Sequence, residues 1–152
     1  VDINLWEIQN WMKKIFFVLV SLPIIISCSK KDVKFEAFSA EAFAFDIGDG
    51  TAEVNATVRI KGFTQNEKDD IYKAAVAYDV DLIKPDSSIS KSVFKFVQND
   101  EGQEPISDIA LEAQFSLDSS YTEGTYTLVF NITDKNSENK TESKVNFDLQ
   151  WE

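Results

Sequence analysis

Apolar and polar residues alternate with period two along most of the chain after residue 32. The clearest case is Tyr126 to Asp134, YTLVFNITD, in which every second side chain from Tyr126 is large and apolar. After the polar segment DKNSENK, the run TESKVNFDLQW alternates again, with Val145, Phe147 and Leu149 in step. Alternation of this kind is typical of strands that bury one face. The two runs therefore predict an antiparallel hairpin.

The same alternation predicts further strands upstream, and no run has a helical period. The first strand lies in VKFEAFSAEAFAFDI, where a break in parity between Phe38 and Phe43 predicts a bulge or a strand switch. Turn signals separate the strands at GDG, GFTQNEKDD, KPDSS and NDEGQEP. About seven strands over residues 33–152 predict an all-β antiparallel β-sandwich. The other strands are predicted at Ala52–Ile60, Tyr72–Leu82, Ser92–Gln98 and Ile109–Leu117.

The closing hairpin, Glu123 to Leu149, resembles the F–G hairpin of bacterial immunoglobulin-like modules. The resemblance places Tyr126 where that fold has its corner tyrosine, near the start of strand F. It places Leu128 at the second disulfide position, where this chain has no cysteine, and Tyr78 where strand C usually carries a tryptophan. The resemblance implies an immunoglobulin-like sandwich held by packing alone, and it says little about function.

The segment MKKIFFVLVSLPIIISCSKKD has the organisation of an export signal. Lys13 and Lys14 precede the 12 uncharged residues 15–26, which are fewer than the about 20 apolar residues that a membrane-spanning helix needs. We therefore expect residues 12–27 to be a signal peptide. Residues 1–11 precede its natural start at Met12, and we interpret them as an over-extended gene start. The alternative is a genuine N-terminal extension.

Ile25-Ile26-Ser27-Cys28 resembles the lipobox of bacterial lipoproteins. The resemblance implies that the Cys28 thiol carries diacylglycerol, that cleavage occurs between Ser27 and Cys28, and that residues 28–32 form a short tether. It also implies the outer membrane, because Ser29 rather than aspartate follows the cysteine. Lys31 stands where an export tag would have an acid, so the periplasmic and cell-surface faces both stay open. The alternative is a cysteine that ends a buried core helix.

Composition removes several classes of function. The net charge of −11 argues against nucleic acid, because phosphate binding needs an excess of Lys and Arg. The chain has no histidine and one cysteine. These counts remove the commonest general base, an intramolecular disulfide, thiolate zinc sites and Cys-His catalysis. We expect no cofactor and no enzymatic activity.

Two acidic pairs are candidates for chemistry. Asp46 and Asp49, in the glycine-containing turn DIGDG, offer oxygen ligands to calcium, although a calcium site usually needs six to eight of them. The alternative is a plain hairpin turn. Asp79 and Asp81 share one strand face about 6.6 Å apart, a separation that nominally suits an acid–base pair. The alternative is a solvated strand surface, which would leave their pKa values ordinary.

Three small apolar residues, Ala75, Ala77 and Val129, are predicted to face outward on one sheet. An apolar patch of this kind marks a candidate partner face, and scattered small apolar residues are also normal on a surface.

We expect a non-catalytic, lipid-anchored protein of the cell envelope that acts as a binding or accessory module beside the bilayer, with an envelope protein complex as partner. The alternative is a module that binds glycan or a similar polymer. A hydrolase that uses acidic residues is the third hypothesis.

Overall fold

The computed structural model describes residues 33–152, which form two antiparallel β-sheets packed face to face. This confirms the predicted all-β sandwich, with seven long strands and one additional strand of three residues. The segment Asp32–Glu152 is a compact unit with its own core, and we expect it to fold independently. The strands are β1 (Glu36–Gly48), β2 (Thr51–Lys61), β3 (Asn66–Lys68), β4 (Ile71–Ile83), β5 (Ile89–Gly102), β6 (Asp108–Asp118), β7 (Gly124–Asp134) and β8 (Lys140–Leu149).

The predicted signal peptide, Cys28 and the tether lie outside the described residues. Within residues 33–152, no helix is long and apolar enough to cross a membrane.

The strand order is that of an immunoglobulin-like sandwich. One sheet has the order β1-β2-β6, and the other has β8-β7-β4-β5. The short β3 extends the second sheet, because it pairs with the start of β4 on the edge that β7 occupies further along. In the nomenclature of the fold, the sheets are A-B-E and G-F-C-C′. β7 and β8 form the predicted closing hairpin.

The core lies between the sheets and is built from the predicted alternating positions. Leu128, at the second disulfide position of the fold, is fully buried. Tyr78 is buried on strand C and stacks on Phe130, with 6.2 Å between ring centroids. Packing around Tyr78 therefore takes the place of the usual tryptophan and disulfide. The remaining fully buried core residues include Val54, Val58, Ile60, Val76, Val80, Leu82, Leu111, Tyr126, Ile132 and Leu149.

Strand β1 contains the expected bulge and has an unusual distribution of side-chain size. The register with β2 shifts between Phe38 and Glu41, around Ser39 at φ 49°. Beyond the bulge, Ala42 and Ala44 face the core while Phe43 and Phe45 face solvent. Small side chains on the inner face allow β1 to lie against β8 of the opposite sheet. β1 therefore presents its large side chains outward.

Strand β5 is longer than the sequence indicated. NDEGQEP was expected to be a turn, yet Asn99–Gly102 continues the strand and pairs with the start of β4. An edge strand is stabilised by backbone hydrogen bonds on one side, so it tolerates polar side chains that a buried strand would exclude. β5 also bulges opposite Asp81, where Ser92 has φ 51°.

Candidate binding surface

The outer face of the three-stranded sheet combines exposed aromatic and polar side chains. Its central row joins three strands in register, with Phe43 opposite Asn55 and Asn55 opposite Gln114. Neighbouring strands lie about 4.8 Å apart, so this row crosses roughly 10 Å of sheet. The flanking rows are Phe45, Glu53 and Ser116 on one side and Glu41, Thr57 and Glu112 on the other.

An aromatic rim lies along β1. Phe43 and Phe45 are 58% and 44% exposed, and their rings stack with 6.2 Å between centroids. Ile47 extends the rim and is also exposed. A soluble domain exposes single large apolar residues often, but three in alternation on one edge strand form a contiguous patch. The rim is therefore a candidate contact surface.

The centre of the face is polar and internally ordered. The Asn55 Nδ2 group donates a 2.9 Å hydrogen bond to Glu53 Oε1. Hydrogen bonds from Asn55 and then Gln114 lower the pKa of Glu53 below its ordinary value. The carboxylate therefore stays ionised near neutral pH, and the hydrogen bond from Asn55 fixes the orientation of that amide on the face.

A second aromatic rim lies where β5 overhangs β6. Tyr78, Phe94 and Phe96 line a groove of about 500 Å³ there, with Glu112 and Gln114 on its other side. Phe96 is 51% exposed and meets the edge of Tyr78, with 6.2 Å between centroids. The Tyr78 hydroxyl donates to the carbonyl oxygen of Glu112, which joins the two sheets across the groove. Burial raises the pKa of Tyr78, so this hydroxyl remains a donor.

The two rims belong to one continuous surface. A smaller groove of about 340 Å³ runs over the sheet from Phe43 past Asn55 and Thr57. It shares Glu112 and Gln114 with the groove beneath Phe96. We name this continuous area the outer-sheet platform: Phe43 and Phe45 at one rim, Asn55, Thr57, Glu112 and Gln114 at the centre, and Phe96 at the other rim.

The candidate acid–base pair, Asp79 and Asp81, lies on the opposite sheet, where Asp81 accepts hydrogen bonds from residues of the β5 bulge. Asp81 is buried, and it accepts hydrogen bonds of 2.7 Å from Lys91 Nζ and 2.8 Å from the Ser92 backbone N–H. Asn131 Nδ2 donates to both Asp79 and Asp81, at 3.1 and 3.2 Å. Burial acts to raise the pKa of Asp81, but these hydrogen bonds outweigh it and leave the pKa lowered. An ionised carboxylate held in this way stabilises the bulge.

The candidate partner face of Ala75, Ala77 and Val129 offers little apolar area. Ala75 and Ala77 are half-buried, and Val129 is only 7% exposed although its side chain lies on the outer side of its sheet. Val129 sits between Asp81 on β4 and Lys144 on β8. Polar neighbours therefore dominate this face.

The candidate calcium ligands form a turn. Asp46 Oδ1 accepts the Gly48 backbone N–H at 2.7 Å, and Oδ2 accepts the Glu152 N–H at 3.1 Å. Asp49 occupies the left-handed region at φ 56°. Within residues 33–152, no three His, Cys, Asp or Glu side chains are grouped so that they could hold a metal ion.

Comparison with known proteins supports the fold. No family model and no curated protein matches the chain. Three solved structures of β-glucuronidases from Bacteroides uniformis are similar: a calcium-binding mutant of β-glucuronidase 2, the same enzyme covalently bound to an aziridine, and a further β-glucuronidase. Their TM-scores are 0.53, 0.52 and 0.51 at 8%, 9% and 9% identity, over 77%, 74% and 74% of this chain. The match spans only 15%, 13% and 13% of those chains, so the likeness is one of sandwich fold.

Proposed function

We propose that the protein is a non-catalytic, lipid-anchored binding module of the bacterial cell envelope, and that the outer-sheet platform is its binding surface. The observation that carries the proposal is the orientation of β1, which packs the partly buried Ala42 and Ala44 against the core and exposes Phe43 and Phe45. Exposing large aromatic rings forgoes the free energy of burying them, about 1.5–3 kcal/mol for a side chain such as Phe. A contact with a ligand or partner would recover part of that free energy.

The anchor is supported by the sequence around Cys28. If the thiol carries lipid, the four residues 29–32 separate it from Val33, where the described domain begins. Four extended residues reach about 14 Å, so the domain stays close to the bilayer. A binding module held there meets components of the envelope in preference to distant targets.

A non-catalytic role is supported by the structural hydrogen bonds that the candidate acidic residues make within the fold. Asp81 holds the β5 bulge, and Asp46 caps a turn. An acid–base catalyst needs a carboxyl group that is free to exchange protons with a substrate. Asp81 has its carboxylate oxygens occupied by Lys91, Ser92 and Asn131.

Co-sedimentation with isolated Gram-negative cell envelopes tests the proposed function. The probe is the domain Asp32–Glu152, compared with the double variant Phe43→Ala, Phe45→Ala. The control is Ile89→Ala, Val97→Ala, which removes two exposed apolar side chains from β5. We expect the wild type and the control to sediment with the envelopes and the Phe43, Phe45 variant to remain in solution. Sedimentation that does not depend on Phe43 and Phe45 would remove the platform as the binding surface.

The alternative of a glycan- or polymer-binding module has one observation in its favour. Two planar amides, Asn55 and Gln114, lie between the aromatic rings of Phe43 and Phe96 on the platform. Ligand sites commonly combine apolar walls with a few fixed polar groups in this way.

A further inference from the structure

We propose that the outer-sheet platform binds an uncharged saccharide chain, laid across the sheet from Phe43 to Phe96. This inference rests on the proposed function, because it assigns a ligand class to the same surface. It goes further by naming the chemistry that the two rims and the polar centre recognise together.

The rims fit the apolar side of a sugar ring. A pyranose has one or both faces covered by C–H groups, and an exposed aromatic ring offers a flat apolar face of similar size. Phe43 and Phe96 are each more than half exposed. The edge contact between Tyr78 and Phe96 fixes the orientation of the second rim. Two such rims can hold two sugar units of one chain.

The centre fits the hydroxyl groups of a sugar. Asn55 and Gln114 supply amides that both donate and accept, Thr57 supplies a hydroxyl, and Glu112 supplies a carboxylate acceptor. Because the hydrogen bond to Glu53 already orients Asn55, this amide does not have to be ordered when a ligand binds. Preorganised polar groups of this kind raise affinity by lowering the entropic cost of binding.

The charge of the platform selects an uncharged ligand. Glu41 and Glu112 line the grooves, and neither groove has a Lys or Arg among its lining residues. Glu53 lies in the adjacent row of the same face. An anionic polymer would be repelled by these carboxylates, since like charges brought close together cost free energy. A polycation would be attracted by charge, but it would leave the aromatic rims and the amides without a role.

The length of the platform favours a chain over a single sugar. The central row crosses three strands, about 10 Å, before the groove continues beneath Phe96. The grooves over the sheet and beneath Phe96 share Glu112 and Gln114, so a ligand can pass from one to the other without leaving the surface.

The test measures binding of defined oligomers to the domain Asp32–Glu152 by NMR titration and calorimetry. The neutral probes are hexasaccharides of β-1,4-glucose, α-1,4-glucose and β-1,4-mannose, and the charged probes are hexagalacturonate and hexalysine. We expect at least one neutral hexasaccharide to bind with a Kd below about 1 mM and to shift the amide resonances of Asn55, Gln114 and Phe96. No binding by any neutral probe, or tighter binding of either charged probe, would overturn the inference.

The variants separate the platform from general effects on the fold. Phe96→Ala and Phe43→Ala should each weaken binding about tenfold, which corresponds to ~1.4 kcal/mol. Val97→Ala changes the neighbouring residue on β5, 49% exposed, and should change the Kd by less than about twofold. Phe96→Trp should retain binding, which excludes misfolding as the cause of the loss. If envelope binding depends on Phe43 and Phe45 but no hexasaccharide binds, the proposed function stands and the saccharide inference fails.

Discussion

The hydroxyl of Tyr126 donates a 2.7 Å hydrogen bond to the backbone carbonyl oxygen of Thr122, four residues earlier. The tyrosine ring is almost fully buried and stacks on Phe147, with 5.4 Å between centroids and 15° between planes. This is the tyrosine corner of immunoglobulin-like folds. It fixes the direction in which the chain enters β7, and it confirms the position that the sequence predicted for Tyr126.

Replacing Tyr126 with Phe should keep the stacking and remove the hydrogen bond. We expect the free energy of unfolding to fall by about 1 kcal/mol, the usual net value of one such bond. Urea denaturation monitored by circular dichroism measures the change. Tyr121→Phe is the control, because Tyr121 is only partly buried and its substitution should cost less than about 0.5 kcal/mol. Equal losses for the two variants would contradict a special role of the corner.

Asp134 joins two loops at one end of the sandwich. Its side chain is fully buried, and it accepts backbone N–H groups from Thr64 at 2.8 Å and Asn136 at 2.9 Å, with the Ser137 hydroxyl at 2.6 Å. Burial acts to raise the pKa of Asp134, but these hydrogen bonds outweigh it and leave the pKa lowered. The ionised form is therefore the one that the fold stabilises.

Asp134→Asn should destabilise the domain at neutral pH by about 2 kcal/mol, since a charged acceptor is replaced by an amide. Because the folded pKa is lowered, the stabilisation is present above the unfolded value of about 3.9 and is lost as the pH falls through the folded pKa. The difference in the free energy of unfolding between the wild type and the variant should therefore become smaller below about pH 4. Urea unfolding at neutral and acid pH measures this difference. The exposed Asp49→Asn is the control, and a gap that widens in acid would contradict the assignment.

The strands that alternate cleanly could be predicted from the sequence because their two faces differ in polarity. Tyr126–Asp134 has large apolar residues on one face and mostly polar residues on the other, and the structure places them as expected. The end of β5 could not be predicted, because Asn99–Gly102 has no apolar side chain and is held by its pairing with β4 and by the ion pair between Lys73 and Glu101. A register set by the neighbouring strand leaves no signature in side-chain polarity.

The sequence does not reveal the outer-sheet platform, for two physical reasons. In AEAFAFD, alternation shows that Ala and Phe lie on opposite faces, but residue size alone suggests that Phe faces the core. Because β1 packs against β8, the alanines face the core and the phenylalanines face solvent. Phe96 and Gln114 meet only because β5 and β6 are adjacent edges of different sheets. The regular spacing of Phe43, Phe45 and Ile47 was the one signal in the sequence that could have marked the first rim.

Gly62 and Gly48 provide a matched pair for testing how closely the chain packs before β1. Both have positive φ, at 72° and 90°. A Cβ on Gly62 would overlap the backbone carbonyl groups of Val33 and Lys34, whereas a Cβ on Gly48 would meet no atom within 4 Å. Gly48→Ala should cost about 1 kcal/mol from backbone conformation alone. Gly62→Ala should cost more than about 3 kcal/mol, because the overlapping atoms are backbone and cannot rotate away. Similar melting temperatures for the two variants would contradict this packing.

The substitution Cys28→Ser tests the proposed lipid anchor directly. Serine has no thiol to form the thioether to diacylglycerol, and we expect processing to require that modification. Expressed in a Gram-negative host, the wild type should incorporate labelled palmitate, and its mass should match a processed protein whose first residue is Cys28. The acyl chains would add about 0.8 kcal/mol of membrane affinity per buried CH₂. The variant should take up no label and retain residues 12–27, as shown by intact-protein mass spectrometry. Ser29→Ala is the control and should be labelled and processed normally. Palmitate labelling of the Cys28→Ser protein, or processing of the wild type at another residue, would contradict lipidation at Cys28.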